Sequence, residues 1–558
     1  MPVPRHSRSA IVARVVLLPV LLVGATVAGL GSYYETSDDA ALGWLFAGVL
    51  TPHPLGSVPL YFHGVGHLLA AAYAAAPGVP WLGLGLGGLL LAATGLVFAV
   101  LDRLLRSHLR PVALIGALVG FYGGAWLEHW LWFSHARVAL LLAVAALLFA
   151  AQRPARRGPW AVGLAGLGLA WLLRPNLALL ALGAALPAAY LLAGGGRRVA
   201  PLVVSAVLAL ALATGLSAAW RTPAEARTQA RNAAFARILD FEQRRPQPRT
   251  AADSLGTAAI AHWLLGDSSV VNEALCQRAY RADATGFWTR TVPAKLAARA
   301  AQLARDYFPM LAALAATAMA AGHRRRLGGF WLLQLGFAVA LGLLAGVFKL
   351  PPRLALPLLD CWLLANLTYR LQPAGENTGP PGRVESASSA RPAAWLRSAG
   401  VAVALALGGL YGAKTLHRRG VLRAERARHE QGLRELGRRP ADGVLVLAGA
   451  TDLLKSLSPF REYRPGPGPV LLLTGWPAHD PAQAAQRRAL SGAVDQTECL
   501  RRRAAPGRAT RWVLSAACAR WLNRRFRFGA GPGPVPALVR QSALAADTSL
   551  QDYRPRWR

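Results

Sequence analysis

Apolar residues run along this chain in long blocks, separated by short breaks that are mostly basic. The first block, 11–31, follows an N-terminal stretch carrying Arg5, Arg8 and Arg14. It has the form of a signal-peptide core but is long for one, and no Ala-x-Ala cleavage site follows it. It therefore reads as a retained anchor with its N-terminus inside. Further blocks lie at 79–101, 112–133, 138–151, 160–173, 177–193 and 199–219, then at 308–321, 330–348, 354–371 and 395–412. Since a bilayer core takes about 20 apolar helical residues, the pattern predicts about 11 transmembrane helices.

The breaks give the topology. With the N-terminus inside, the inner connections carry Arg103, Arg106 and Arg110, then Arg153, Arg156 and Arg157, then Arg197 and Arg198, then Arg324, Arg325 and Arg326. All are basic, as inner loops tend to be. The alternation holds only if 57–76 does not cross, which makes that stretch an interfacial helix on the outer surface. Residues 1–371 then form a membrane domain. It includes a polar extracytoplasmic insertion, 221–305, of short helices packed on the membrane domain. A Gly/Ser/Pro-rich cytoplasmic linker, 372–394, leads to the last span, 395–413. The remainder, 414–558, begins as a charged helical stalk. Short apolar runs at 443–448, 470–474 and 511–515 then alternate with helical stretches. That alternation predicts a small extracytoplasmic α/β domain with a largely parallel sheet. The fold class is a mainly α polytopic membrane protein with a small α/β C-terminal domain.

Composition agrees with a membrane protein: of 558 residues 54% are hydrophobic and 16% charged, where soluble domains carry about a quarter. The formal net charge of +35 would first suggest nucleic acid. The arginines sit where they set topology, however, and no recognition motif accompanies them, so nucleic acid is excluded and membrane lipids are the expected surroundings. Of the four cysteines, Cys361 lies in an apolar run, and Cys499 and Cys518 could pair in an oxidising compartment. No Cys-x-x-Cys is present.

Against this basic background one acidic stretch stands out, residues 33–39, with Glu35, Asp38 and Asp39. Carboxylates at a membrane edge are costly and by default mark a site. One of them could act as a general base, and Asp38 or Asp39 could help hold a divalent cation, Mg or Mn. Asp38 and Asp39 point about 100° apart on a helix, so only one would face a given atom. The plain alternative is a solvated loop capping the next helix from Ser37 or Asp38. His63 and His67 are four apart on the interfacial helix, but Gly64 stands where a zinc-protease helix has Glu. They read as substrate hydrogen-bonding groups or as ordinary interfacial histidines. Lys349 and Arg353 bracket Pro351 and Pro352 at an outer span end, where they suit an anionic phosphate or snorkel to headgroups. Arg137 and Arg174 also lie on the outer side, against the basic-inside bias. In the C-terminal domain Thr474, Gly475, Trp476 and Pro477 form a strand-end turn, read as structural or partner-binding.

This layout resembles the polytopic GT-C glycosyltransferases that use polyprenyl-phosphate sugars. The features that carry the resemblance are a first span followed by SYYETSDDAALGWLFAG, an interfacial stretch, basic inner loops and a late outer KLPPRLALP. It covers about Ile11 to Leu371. It implies a bacterial inner-membrane enzyme moving a sugar, with inversion, from a polyprenyl-phosphate donor to an envelope glycan, lipid or protein acceptor on the outer face. It also implies that Asp38 or Asp39 is the base or metal-associated acid, with Glu35 in support. Lys349 and Arg353, with Arg137, would hold the lipid-linked phosphate. The spacing from Glu35 to Asp38 departs from the tight acidic pattern of the best-known members. Two other readings stay open: a polysaccharide polymerase or ligase, and a non-catalytic envelope scaffold or transporter. A transporter would place polar groups within its spans, whereas these spans read as Ala, Leu, Gly and Val with charges at the ends.

Overall fold

A computed structural model describes residues 7–321, 327–371, 394–438 and 443–558, and the chain is mainly helical. The expected 372–394 linker lies almost wholly outside the described residues. Five helices among those described are long and apolar enough to cross a membrane: α1 (Arg8–Gly29), α4 (Trp81–Leu105), α8 (Pro175–Ala193), α9 (Gly196–Ala219) and α15 (Gly328–Gly346). Several other blocks counted in the sequence form shorter or more polar helices. These are α5 (Pro111–Trp126), α6 (His135–Ala151), α7 (Arg157–Leu173), α14 (Phe308–Ala320) and α16 (Pro352–Leu371). The last block opens α17 (Ala394–Leu436), a single helix of 43 residues that continues without a break into the charged stalk.

Helix α6 is the centre of the bundle and is buried along nearly its whole length. Its sequence of Ala, Leu and Val presents small residues to its neighbours. Gly163 and Gly166 of α7 meet Ala150 and Ala146 so closely that a Cβ on either glycine would collide with the facing alanine. Close approach through small residues is how helices pack where lipid removes the hydrophobic drive.

The bundle interior also holds polar groups, some of which the sequence placed at the ends of spans and others of which it did not single out. Glu128, His129, Arg137, Asp360 and Asn366 are all buried. Gln334 donates to Asn366 at 2.7 Å, and the Trp362 indole donates to Gln334 at 2.6 Å. Each polar group therefore meets a partner on another helix.

The expected interfacial helix is shorter than 57–76: α3 runs Val65–Ala75. Phe62 and Gly64 have φ of +58° and +83°, and these left-handed residues turn the chain immediately before the helix. His63 thus precedes the helix that carries His67. The shared helical face expected for the two histidines does not form.

The C-terminal sheet has five strands in the order β6-β5-β7-β9-β8. β5 (Val444–Ala448), β6 (Val470–Leu472) and β7 (Thr510–Ser515) are the parallel strands read from the sequence. β8 (Pro536–Ala543) and β9 (Leu550–Trp557) add an antiparallel hairpin. Their mixed polar and apolar residues, most of them only partly buried or exposed, hid them from the apolar pattern. Cys499 and Cys518 are both buried free thiols.

The insertion does not simply rest on the membrane domain. Phe235, Leu255, Ile260 and Leu275 share one apolar core with Val446, Trp512, Trp521 and Phe526 of the C-terminal domain. Asp267, fully buried, accepts from Thr497 at 2.6 Å and from Arg525 at 2.7 Å across the same junction. A second attachment ties the C-terminal domain to the first loop. Tyr34 N–H donates to the Leu457 carbonyl, Ser456 N–H returns a bond to the Tyr34 carbonyl, and the Trp44 indole donates to the Tyr463 carbonyl.

Candidate functional site

The acidic stretch leaves α1 through Tyr33 and Tyr34, a two-residue strand (β1) paired in parallel with Trp132 and Phe133 (β2). This pairing sets 33–39 against the start of α6. Helix α2 (Ser37–Phe46) then begins after an extended Thr36, and the twist between consecutive helical positions turns Asp38 and Asp39 to different sides.

Asp39 turns inward and is fully buried. Its Oδ1 accepts from both the backbone N–H and the Nδ1–H of His135, each at 2.8 Å, and its Oδ2 accepts from Thr36 at 3.1 Å. Burial pushes the Asp39 carboxyl up, but the His135 ring and backbone N–H, with Arg353 farther off, outweigh it and hold the group below the ordinary carboxylate range. Arg174 donates to the other nitrogen of His135 at 3.3 Å; because Arg can only donate, that nitrogen accepts and the proton sits on Nδ1.

Glu35 is similarly occupied. One oxygen accepts from Arg137 at 2.6 Å and the other from the backbone N–H of Arg353 at 3.0 Å, at the start of α16. Behind it Arg137 donates to His129 at 3.1 Å, and His129 donates to Asp360 at 2.6 Å. Arg137 is only 1% exposed, so it stands behind the cavity wall and cannot itself meet a substrate phosphate.

Asp38 faces the other way, into a cavity of about 600 Å³ that it shares with His63, Lys349 and Arg353. That volume lies in the ordinary range for ligand sites, roughly 300–1,000 Å³. Arg174, Arg221 and Asp240 complete the charged lining, so four basic side chains face two carboxylates. Lys349 is engaged with Asp240 at 2.5 Å. No hydrogen bond or ion pair to the Arg353 guanidinium is found among the described residues. The Arg174 guanidinium lies over the Tyr61 ring, 4.8 Å from its centroid. Burial, and then Arg221, push the His63 imidazole below its usual pKa, with Glu225 opposing them. His67 lies outside the lining and packs its ring on Gly56, where a Cβ would collide with it.

The wall beside Asp38 comes from elements that motif reading does not link to it. Trp476, from the strand-end turn of the C-terminal domain, donates its indole N–H to Asp38 at 3.1 Å and meets Tyr61 edge-on at 5.2 Å. Gly475 N–H is fastened to the Trp263 carbonyl of the insertion at 2.9 Å, and His479 bonds Asn232 at 2.8 Å. Only the turn at 474–477 carried a signal in the sequence, and that signal did not say which site it serves.

No protein-family model, curated protein or solved structure matches this chain. Chemically, the cavity offers one carboxylate engaged only by an indole N–H, an excess of guanidinium groups and an aromatic lining of Tyr61, Trp171, Trp263 and Trp476. No group of three or more His, Cys, Asp or Glu side chains that could hold a metal is found among the described residues. Both oxygens of Asp39 are already taken, which leaves Asp38 as the first-loop aspartate able to approach a cation.

Proposed function

We propose that the chain is an integral-membrane glycosyltransferase that moves a sugar from a polyprenyl-phosphate donor to an acceptor hydroxyl in this cavity. The observation that carries the reading is the convergence on one cavity of Asp38 from the first loop with Lys349 and Arg353 from a distant part of the sequence. Asp38 takes the proton of the acceptor hydroxyl as its oxygen bonds to the anomeric carbon. The bond from that carbon to the phosphate oxygen breaks, and the departing phosphate gathers the new negative charge. Arg353, Arg174 and Lys349 stabilise it; such charge-assisted contacts are strongest where water is excluded. The aromatic side chains give the sugar apolar faces to lie on. A lipid-linked donor can reach the site along α9, which lines the cavity with Thr214 and Ser217 and leaves Leu212 and Leu216 exposed, at 64% and 41%.

In this reading the cavity opens on the outer face of the bacterial inner membrane, and the arginine-rich end of the bundle faces the cytoplasm. The acceptor is an envelope glycan, lipid or protein. With purified full-length protein in vesicles and a labelled polyprenyl-phosphate hexose, the wild type transfers the label and Asp38→Asn loses about 10²–10⁴-fold of that rate. Unchanged transfer by Asp38→Asn would remove the base and with it this mechanism.

Transport is the second reading, favoured by the buried Glu35–Arg137–His129–Asp360 chain, because ionisable groups inside a bundle also mark ion pathways. Substrate uptake by protein-containing vesicles, without any change in the substrate, would favour it over sugar transfer.

A further inference from the structure

We infer that the end of the bundle remote from this cavity carries a second site, which takes the phosphate headgroup of an anionic glycerophospholipid. It does not depend on the reaction proposed above. A pocket of about 200 Å³ lies between the end of α6 and the beginnings of α7 and α9. Arg156, Arg157 and Arg198 supply its charge, and Trp160 and Leu202 are among its apolar walls. The same two helices reach the first cavity with their other ends, through Trp171 on α7 and Thr214 on α9. The 17 residues of α7 rise about 25 Å at ~1.5 Å each. The two sites therefore stand at opposite sides of one apolar slab.

The charge of this pocket is unanswered. Its lining contains no carboxylate, and no hydrogen bond or ion pair to the guanidinium groups of Arg156, Arg157 or Arg198 is found among the described residues. Asp102, the acid of this end, is consumed by Arg14 at 2.6 Å. Nearby Arg153, half-buried, is brought down to about 10, first by burial and then by Arg103, Arg106 and Arg156, with Asp102 opposing them. An anion in the pocket relieves that repulsion. Helices α7 and α9 begin at Arg157 and Gly196, beside the pocket, and add the partial positive charge of two N-termini.

The surroundings select a lipid over a soluble anion. From the pocket α9 continues with Val204 and Leu208 exposed at 55% and 63%. Exposed apolar side chains on a helix of this hydropathy face acyl chains. A phosphodiester seated among the arginines would lay its tails along that stripe. Basic pockets between transmembrane helices are a recurrent way to hold acidic headgroups.

The test uses full-length protein in neutral detergent, stripped of lipid, with bound lipid counted by native mass spectrometry during titration with phosphatidylglycerol or phosphatidylcholine. The wild type is expected to bind phosphatidylglycerol roughly tenfold tighter than phosphatidylcholine, given the contribution of each arginine near a headgroup. Arg157→Gln with Arg198→Gln should abolish the preference. Arg110→Gln with Arg197→Gln, which removes the same charge outside the pocket, should keep it. Equal binding of the two lipids by the wild type would overturn the site without recourse to any variant. Loss of the preference in the control pair would reduce it to diffuse charge. Displacement of the lipid by millimolar inorganic phosphate would assign the pocket to a soluble anion instead.

Discussion

The two sides of the wall between α2 and α6 use the same residue types in opposite ways. On the buried side Asp39, Glu35, Arg137 and His129 each meet a partner on another segment, at 2.6–3.1 Å. On the cavity side Asp38 meets an indole N–H, and the Arg353 guanidinium meets no carboxylate among the described residues. The buried set holds the first loop, α6 and α16 together; the facing set is left available. Charge at a membrane edge is therefore a poor guide to chemistry until its partners are known. Adjacent aspartates can divide between the two tasks because one helical step separates them by about 100°.

The largest expected effect breaks the buried side. Arg137→Met leaves the Glu35 and Asp360 side of the network without its cation. Breaking a buried pair from one end costs about 3–5 kcal/mol. Thermal unfolding in detergent should show the loss, and Glu35→Gln combined with Arg137→Met should lose less than the sum of the two single changes. A smaller effect falls on the cavity side. Arg353→Gln keeps the fold and weakens donor use roughly ten- to hundredfold, the range of a charged hydrogen bond, read as the rate at low donor concentration. Lys349→Gln should do less, since Asp240 already answers part of that charge. Equal losses from the two substitutions would mean that the salt bridge opens when donor binds.

The smallest effect concerns an acid that belongs to neither set. Glu462, on the C-terminal domain beside Tyr73, is pushed up to about 7, mainly by burial, with Arg464 and the Tyr73 hydroxyl opposing it. A carboxyl whose folded value is raised contributes stability that is full below its unfolded value and is lost as the pH rises through the folded one. Thermal stability should therefore fall between about pH 4.5 and about pH 7. Glu462→Gln should flatten that slope, and an unchanged slope would place its origin elsewhere.

Much of this architecture is legible in the sequence because it rests on composition over long windows. The apolar blocks, the polar insertion and the three parallel strands of the C-terminal domain each follow from runs of residues. What stayed hidden depends on single partners. The 57–76 stretch reads as helix throughout, but left-handed backbone at Phe62 and Gly64 ends the pattern and parts His63 from His67. Arg137 reads as an outer cation free to bind phosphate, and only the fold reveals Glu35 and His129 beside it. Trp476 stands 438 residues from Asp38 in sequence; no local pattern joins them. Asp360, Asn366 and Gln334 escaped notice because each is one side chain in an apolar run.

The division between Asp38 and Asp39 is the centre of this account, and one paired measurement tests it. Sugar transfer and thermal stability are measured for Asp38→Asn and Asp39→Asn, each in full-length protein. Asp38→Asn should unfold near the wild-type temperature and transfer about 10²–10⁴-fold more slowly. Asp39→Asn should unfold at a lower temperature and keep transfer per folded molecule within about tenfold, because it changes a buried support and not the reacting carboxylate. A wild-type unfolding temperature with lost transfer in Asp39→Asn, beside active Asp38→Asn, would contradict the assignment.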